Sequence, residues 1–384
     1  MKKMNKLELS KIKRNLKKES YSLNIHKIFN AFGKYDSKKI VVSQVKDFNN
    51  FLEDEMDMLY SHFKKALTGT IGKKLFDLEF TNDEMGKEKQ SLLLAANRDN
   101  FEENALKIAD SIIKTHATNS DLVITIAKMS LYIVEKIKDE DDEVLELKFI
   151  LCTVNKVEAF EKQFVVSVGE ILQEDDECFR VLDNLDMIIN LKKPLDSFMF
   201  PSITDGQVDV NKVFYVAPKN DAINTAFVED VLSCSKVKTA KEEKEIFTSV
   251  LKETLGENID TEIIHEVYTN LKEIAFKKER EDAGTFTSND IKVALKNIGC
   301  DDNEVERVQS VIEETTGEQE TTFVATNIIP VSSNKVNIQG ATAKVSLNGD
   351  KLNCVKKKVV DGKPSLVIEL QPGDKLMLDG IELS

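Results

Sequence analysis

The spacing of apolar residues predicts a mixed α and β region at the start of the chain. Between residues 21 and 44, two short apolar runs flank the polar stretch Gly33–Lys39, which predicts a β-hairpin. Apolar positions then recur every three or four residues over 47–67 and over 101–117, which predicts two helices. Extended apolar runs return between residues 122 and 217, where we expect one mostly antiparallel sheet backed by these two helices. The strands predicted in this sheet are Leu122–Ile126, Leu145–Val154, Phe164–Val168, Met187–Leu191 and Val213–Ala217.

From Ala222 onward the apolar positions return to a helical spacing. The clearest helix is predicted over residues 260–278, where Asp260 can cap the first turn. The apolar stripe of this helix consists of Ile264, Val267, Leu271 and Ile274. The stripe either packs inside the chain or pairs two subunits. Two shorter helices are predicted on either side of Gly299. The final segment carries Asn-Gly, Asp-Gly and Pro-Gly turn signals between short apolar runs, which predicts a small β meander.

Together these patterns predict an α+β fold, with a mostly antiparallel sheet and helices in the N-terminal domain, a helical middle and a small C-terminal β meander. The predicted segments are a basic tail over residues 1–18, an α+β domain over 19–235, a helical region over 236–320 and a small β domain over 321–384.

The charge on the chain is divided unevenly between its first residues and the rest. The chain has 53 basic and 67 acidic residues, a net charge of −14. Its first 18 residues hold eight basic residues and one acidic residue, a net charge of +7, so the remainder carries −21. A short basic arm on an acidic body is typical of a protein that touches a polyanion with the arm alone.

Composition and motifs argue against several other classes of function. The longest uninterrupted apolar run, Val213–Ala217, is too short to span a bilayer, and no apolar core follows the basic start, so we expect neither a membrane protein nor an exported one. The five cysteines are widely spread, which indicates reduced thiols in the cytoplasm. No phosphate-binding loop, nucleophile elbow or metal-ligand spacing of histidines occurs, and the acidic runs 139–143 and 174–177 lack the glycine of an EF-hand loop. We therefore expect no catalytic residue, metal or cofactor.

Basic residues capable of meeting phosphates are concentrated in two places. The helices around Gly299 have the outline of a helix-turn-helix, but residues 300–320 hold eight acids and the single base Arg307, so DNA would repel them. The first remaining cluster is the basic start of the chain, which could equally be a solubilising disordered tail. The second is Lys356-Lys357-Lys358 in a predicted strand, with Lys356 and Lys358 on one face. These lysines could equally protect an edge strand.

Three segments, taken in order, carry a resemblance to a known family. They are the first strand around Ile25-His26-Lys27, the stretch Phe179–Phe198, and the strand, turn and helix of Val213–Cys234. With the order of hairpin, two helices, strand pair, helical connector and C-terminal β unit, they resemble the bacterial nucleoid-associated protein family, the NdpA-like group, over residues 21–384. This chain has Ala217-Pro218-Lys219-Asn220 where members have a Gly-basic turn, so only Lys219 keeps a capacity to hold a phosphate there.

The resemblance implies a non-enzymatic protein of the bacterial nucleoid that binds double-stranded DNA with little sequence specificity. It also implies contact with other DNA-associated proteins, and we expect a homo-oligomer, with a dimer favoured. The candidate DNA-binding residues are Lys11, Lys13, Arg14, Lys17, Lys18, Lys219, Lys356 and Lys358. One alternative is an acidic adaptor or DNA mimic that binds basic surfaces of other proteins. Another is an enzyme whose site is assembled from residues distant in the sequence.

Overall fold

The chain forms two compact units, one extending from Lys2 to Thr239 and the other from Ala240 to Ser384. The computed structural model describes residues 4–135, 143–159, 187–189, 194–256, 259, 261–277, 284–330, 335–339, 344–370, 376–378 and 381–383. Helices and antiparallel strands both occur in these ranges, so the predicted α+β class is confirmed.

The first unit is built on one antiparallel sheet of eight described strands. Along the chain they are β1 (Leu23–Lys34), β2 (Lys39–Asp47), β3 (Leu75–Glu79), β4 (Leu122–Glu135), β5 (Glu143–Ala159), β6 (Met187–Ile189), β7 (Ser197–Phe200) and β10 (Lys212–Val216). Their spatial order is β2-β1-β4-β5-β7-β10-β3, and β6 pairs with the end of β5. A separate small hairpin joins β8 (Ser202–Thr204) to β9 (Gln207–Asp209).

Helices cover both faces of this sheet. They are α1 (Lys6–Asn15), α2 (Glu53–Ala66), α3 (Glu84–Arg98) and α4 (Phe101–Thr115), with a 3-10 turn at Phe48–Asn50 and a π-helical turn at Phe227–Val231. One apolar core lies between the sheet and α3, α4 and the π turn, and the other lies between the sheet and α1 and α2. Alternate residues of each central strand enter the two cores: Ile126 and Cys152 face α4, whereas Met129 and Leu151 face α1 and α2.

Several predicted elements of this unit are confirmed, and others are corrected. The hairpin, both helices and the strands near residues 122, 145, 187 and 213 are present, although β1, β4 and β5 are longer than predicted. Both helices back the sheet as predicted, with α2 on one face and α4 on the other. Helix α3 and strand β3 were not predicted. The predicted strand Phe164–Val168 lies outside the described residues.

The second unit contains helices around a core of its own, followed by β-hairpins. Its helices are α5 (Ala240–Leu255), α6 (Thr261–Ala275), α7 (Ser288–Asn297), α8 (Asp302–Thr316) and α9 (Ala325–Ile328), and β11 (Thr285–Thr287) pairs with β12 (Thr322–Val324). The hairpins are β13 (Lys335–Gln339) with β14 (Lys344–Asn348), β15 (Val355–Val360) with β16 (Lys363–Ile368), and β17 (Leu376–Leu378) with β18 (Ile381–Leu383).

The apolar stripe of α6 is used inside this unit. Val267 and Leu271 are fully buried in the core with Phe247 and Phe286, which accounts for half of the stripe, and Ile264 and Ile274 are partly exposed. Asp260, the predicted cap, lies outside the described residues. No helix among the described ranges is both long and apolar enough to cross a membrane.

Candidate polyanion interface

The basic start of the chain is a folded helix, which corrects the prediction of a tail over residues 1–18. Asn5 caps α1 through its side chain, and Glu8 closes a capping box by accepting the Asn5 backbone N–H at 2.8 Å. The apolar side chains of Leu9, Ile12 and Leu16 are buried in the core that α1 shares with α2. Burial of this short stripe outweighs the repulsion among the lysines and holds the helix on the sheet.

Polar contacts fix the start of α1 against the rest of the first unit. The Met4 backbone N–H donates to Asp77 Oδ2 at 2.6 Å, and the Gly206 backbone N–H donates to Glu8 Oε1 at 3.1 Å. Asp77 belongs to β3 and Gly206 to the β8–β9 turn, so two distant parts of the chain hold this end of the helix. The basic residues of α1 therefore have defined positions.

Two lysines of α1 lie on one flank of the helix, and a third follows the end of the helix. Lys6 and Lys13 are seven residues apart, which places them on the same side of an α-helix, and the exposed Lys17 lies two residues beyond the last helical residue, Asn15. Lys13 approaches Lys64 in the last turn of α2. Partial burial, and secondly the charge of Lys64, lower the pKa of the Lys13 ammonium below its ordinary value. We call Lys6, Lys13, Lys17 and Lys64 the α1 cationic face.

The other candidate residues at the start of the chain differ in their exposure and in whether a carboxylate already pairs with their charge. Arg14 is exposed and Lys11 is partly exposed. Lys18, just beyond the helix, forms an ion pair of 2.8 Å with Glu53 at the start of α2. That hydrogen bond raises the pKa of Lys18 and lowers the pKa of Glu53. Lys18 is therefore already partnered by a carboxylate and is a poorer phosphate ligand than Lys13 or Lys17.

Lys219 lies next to a second pair of lysines. Its exposed turn docks on the loop after α2, because the Ala217 N–H donates to the Lys74 carbonyl at 2.8 Å and the Asp221 N–H donates to the Lys73 carbonyl at 2.7 Å. Burial lowers the pKa of Lys74. The loop's own N–H groups from Gly72 to Leu75 bond to loop carbonyls, so its backbone does not form a phosphate cradle.

Lys356 and Lys358 are occupied by carboxylates. Both lie on β15 as predicted, and both approach Glu369, at 3.5 Å and 3.7 Å. Lys356 also pairs with Glu262 of α6 at 3.2 Å, and these partners raise its pKa. The two lysines belong to the second unit and carry acidic partners there, so we remove them from the candidate interface.

Buried histidines form polar networks within the first unit. His116 Nε2 lies 2.9 Å from Asp196 Oδ2, and the Tyr215 hydroxyl donates to Asp196 Oδ1 at 2.5 Å. The Asn224 amide donates to the same carboxylate at 2.8 Å. His116, Asp196 and Tyr215 are 5%, 1% and 0% exposed, so a substrate would not reach them. His62 Nε2 similarly lies 2.8 Å from Thr153 Oγ1 under α2.

The described residues contain no cluster of three or more His, Cys, Asp or Glu side chains arranged to hold a metal ion. The α1 cationic face is thus the arrangement with the clearest chemical capacity, and that capacity is to hold phosphate or another polyanion.

Comparison with known families gives one match. A family model described as a domain of unknown function, DUF4317, matches residues 4–381. The chain belongs to the DUF4317 family. No curated protein matches this DUF4317 chain. The DUF4317 description carries no activity, so the likeness to the nucleoid-associated group stays a prediction.

Sequence reasoning missed Lys64, Lys73 and Lys74 as members of basic groups. A signal for Lys64 existed, because Lys64-Lys65 closes the apolar period of the predicted helix 47–67. Its closeness to Lys13 depends on the packing of two helices across a shared core, which the sequence does not specify.

Proposed function

We propose that this DUF4317 protein binds double-stranded DNA without enzymatic activity, and that the α1 cationic face contacts the phosphates. The observation that carries the proposal is the closeness of Lys13 and Lys64. Two like charges held together and partly out of water repel each other, and a phosphate between them would relieve that repulsion. Contacts to phosphates fix position and not sequence, so binding is expected to be weakly specific.

The charge of the remaining chain supports a contact confined to this face. With −21 outside the first 18 residues, most of the surface is repelled by DNA. The predicted likeness to the NdpA-like group would place this binding on the nucleoid in a bacterial cytoplasm.

Point substitutions test this proposal better than removal of the first 18 residues. Truncation would also remove Leu9, Ile12 and Leu16 from the core, and loss of DNA binding could then report unfolding. We therefore choose the double substitution Lys13→Gln and Lys17→Gln, which leaves the buried stripe intact. The matched control is Lys18→Gln, because Lys18 is already paired with Glu53.

The expected result is a loss of salt dependence as well as of affinity. If the four lysines of the face each neutralise one phosphate, the slope of log K against log salt is about −3.6, and the double variant has about −1.8. Between roughly 50 and 200 mM salt, the wild type then loses about 150-fold in affinity and the double variant about 12-fold. Fluorescence anisotropy with a labelled random-sequence duplex measures both. Equal slopes for the wild type and the double variant would refute the proposal.

One observation favours a second candidate, an acidic adaptor that binds basic surfaces of other proteins. Asp302, Glu306 and Glu313 share the exposed side of α8, opposite the buried Val308 and Val311. A pulldown with and without nuclease separates the two candidates. Partners that survive nuclease digestion support the adaptor, and partners lost on digestion support DNA binding.

A further inference from the structure

Among the described strands, the sheet of the first unit ends in β3 at one edge and in β2 at the other. At the β3 edge, the Ser235 N–H donates to the Glu79 carbonyl at 2.8 Å, and Phe80 forms a bridge with Cys234. Strand β2 forms the other edge, with nine residues against five in β3. Within the described ranges, β2 pairs with a strand on one side only, that of β1. An open strand of this length is a template for pairing with another chain.

We propose that β2 is a homotypic interface, at which β2 of a second copy of this chain pairs antiparallel about Ser43. The pairing is independent of DNA binding. It is isologous, so a single two-fold axis at Ser43 relates the copies. Val41, which is 45% exposed, then lies opposite Val45 of the partner subunit, and Val42 lies opposite Gln44 of the partner subunit. In this register valine meets valine at Val41 and serine meets serine at Ser43, whereas Val42 meets a glutamine.

The charges at the ends of β2 favour the same arrangement. On β1, Lys34 is directly opposite Lys39, a like-charge pair that weakens the hairpin. Two-fold pairing brings the Lys39 end of one β2 to the Asp47 end of the other, where Asp47 also lies 3.8 Å from Lys27 of its own chain. The bulge at Val41 shifts Lys39 out of strict alternation, so we assign the ladder to residues 41–45 and the charge contact to the ends of the strand.

Helix α4 adds complementary charge beside the strand. A cleft at one end of β2 lies between Val45 and the acidic first turn of α4, with Glu102 and Glu103. A cleft at the other end lies between Ile40 and the later turns, with Leu106 and Lys107. The helix therefore runs antiparallel to β2. A two-fold axis at Ser43 sets Glu102 of one α4 against the Lys107 region of the other, where Lys107 already pairs with Glu103 of its own helix at 2.6 Å, and covers Leu106, which is 40% exposed.

The axis is perpendicular to the sheet, so equivalent faces of both copies lie on the same side. Both copies of α1 then share one side of a continuous sixteen-stranded sheet. A dimer built in this way would present two α1 cationic faces together, which increases avidity for any extended polyanion.

A charge exchange at Ser43 tests the interface. Ser43 is exposed and meets itself on the axis, so Ser43→Lys and Ser43→Glu each place like charges opposite one another. In sedimentation velocity at about 20 µM without DNA, the wild type is expected at twice 43.3 kDa and each variant near 43.3 kDa, with at least a tenfold weaker dimer. An equimolar mixture of the two variants is expected to recover the dimer. Thr248→Lys and Thr248→Glu, at an exposed position of α5, serve as controls that keep the wild-type mass.

A second measurement covers variants that fold poorly. Hydrogen exchange of the wild type at high and low concentration should show concentration-dependent protection within residues 39–47. A monomeric wild type, variants that remain dimeric, or equal exchange in β2 at both concentrations would each overturn the proposal.

Discussion

Replacing Asp196 with alanine is the perturbation whose effect can be worked most directly from the structure. The Asp196 carboxylate is 1% exposed and accepts hydrogen bonds from Tyr215 and Asn224, with His116 Nε2 at 2.9 Å. His116 Nδ1 is buried and has no hydrogen-bond partner among the described residues. Burial, and secondly the nearby Asp196 charge, raise the pKa of the Tyr215 hydroxyl, so that this group stays a donor.

The magnitude follows from the groups left behind. Asp196→Ala leaves the buried His116 Nε2 and Tyr215 hydroxyl and the partly buried Asn224 amide without this partner, and each buried polar group left unsatisfied costs about 1–3 kcal/mol. Tyr215→Phe removes one donor to a charged acceptor and is expected to cost about 2 kcal/mol. Asp110→Ala is the matched control, because its ion pair with Lys114 lies on the surface of α4 and a pair of this kind contributes less than about 0.5 kcal/mol.

Urea unfolding followed by near-UV circular dichroism of tyrosine provides the assay. Five of the six tyrosines lie in the first unit, so the signal reports mainly the unit that contains Asp196. The free energy of unfolding is expected to fall in the order wild type and Asp110→Ala, then Tyr215→Phe, then Asp196→Ala. An Asp196→Ala protein within about 1 kcal/mol of the wild type would refute the view that this network holds the unit together.

Three further predictions concern single sites in the first unit and the cysteines. Gly33→Ala places a Cβ 2.1 Å from Ile113 Cδ1 in the core, so a loss of about 1–3 kcal/mol is expected in thermal unfolding, with partial recovery on adding Ile113→Val. Burial raises the pKa of the Cys234 thiol to about 12 and also raises the pKa of the Cys152 thiol. Iodoacetamide should therefore alkylate both cysteines more slowly than Cys354, and mass spectrometry of the labelled peptides measures the rates. Equal rates at the three cysteines would contradict this prediction. The pKa of Lys13 is lower in the folded protein than its ordinary value of 10.5, so the charged ammonium destabilises the fold at pH values below the folded-state pKa. This loss of stability becomes smaller as the pH rises from the folded-state pKa to 10.5, because Lys13 then loses its charge. Lys13→Gln should therefore raise the urea midpoint at about pH 7 and lose this advantage near pH 10.5, and a lower midpoint at pH 7 would contradict the sign.

Elements with a strong apolar period could be predicted from sequence, and those with a weak one could not. The stripe of α4, with Ile108 and Ile112, is regular and its bounds were close. Helix α3 was missed because its buried face includes Gly86 and Asn97, which break the apolar period. The short apolar stripe of α1 led only to the prediction of a basic tail, although Asn5 and Glu8 form a capping box that the sequence shows.

The candidate site was less predictable because its charges are set by distant partners. The sequence indicated no partner for Lys356 on β15, whereas Glu262 of helix α6 neutralises it. Lys18 similarly pairs with Glu53. Composition counts charges but does not assign them to pairs, and the pairing decides which lysines remain available to a phosphate.

The order of strands in the first sheet has a consequence for synthesis of the chain. Strand β3 follows α2 directly in sequence, yet its only strand partner in the described sheet is β10, and β10 begins at Lys212. During translation, β3 and the apolar faces of α1 and α2 leave the ribosome well before the partner that completes their layer. A nascent chain arrested before residue 212 should therefore expose apolar surface and depend on chaperones, and release from them should follow emergence of β10.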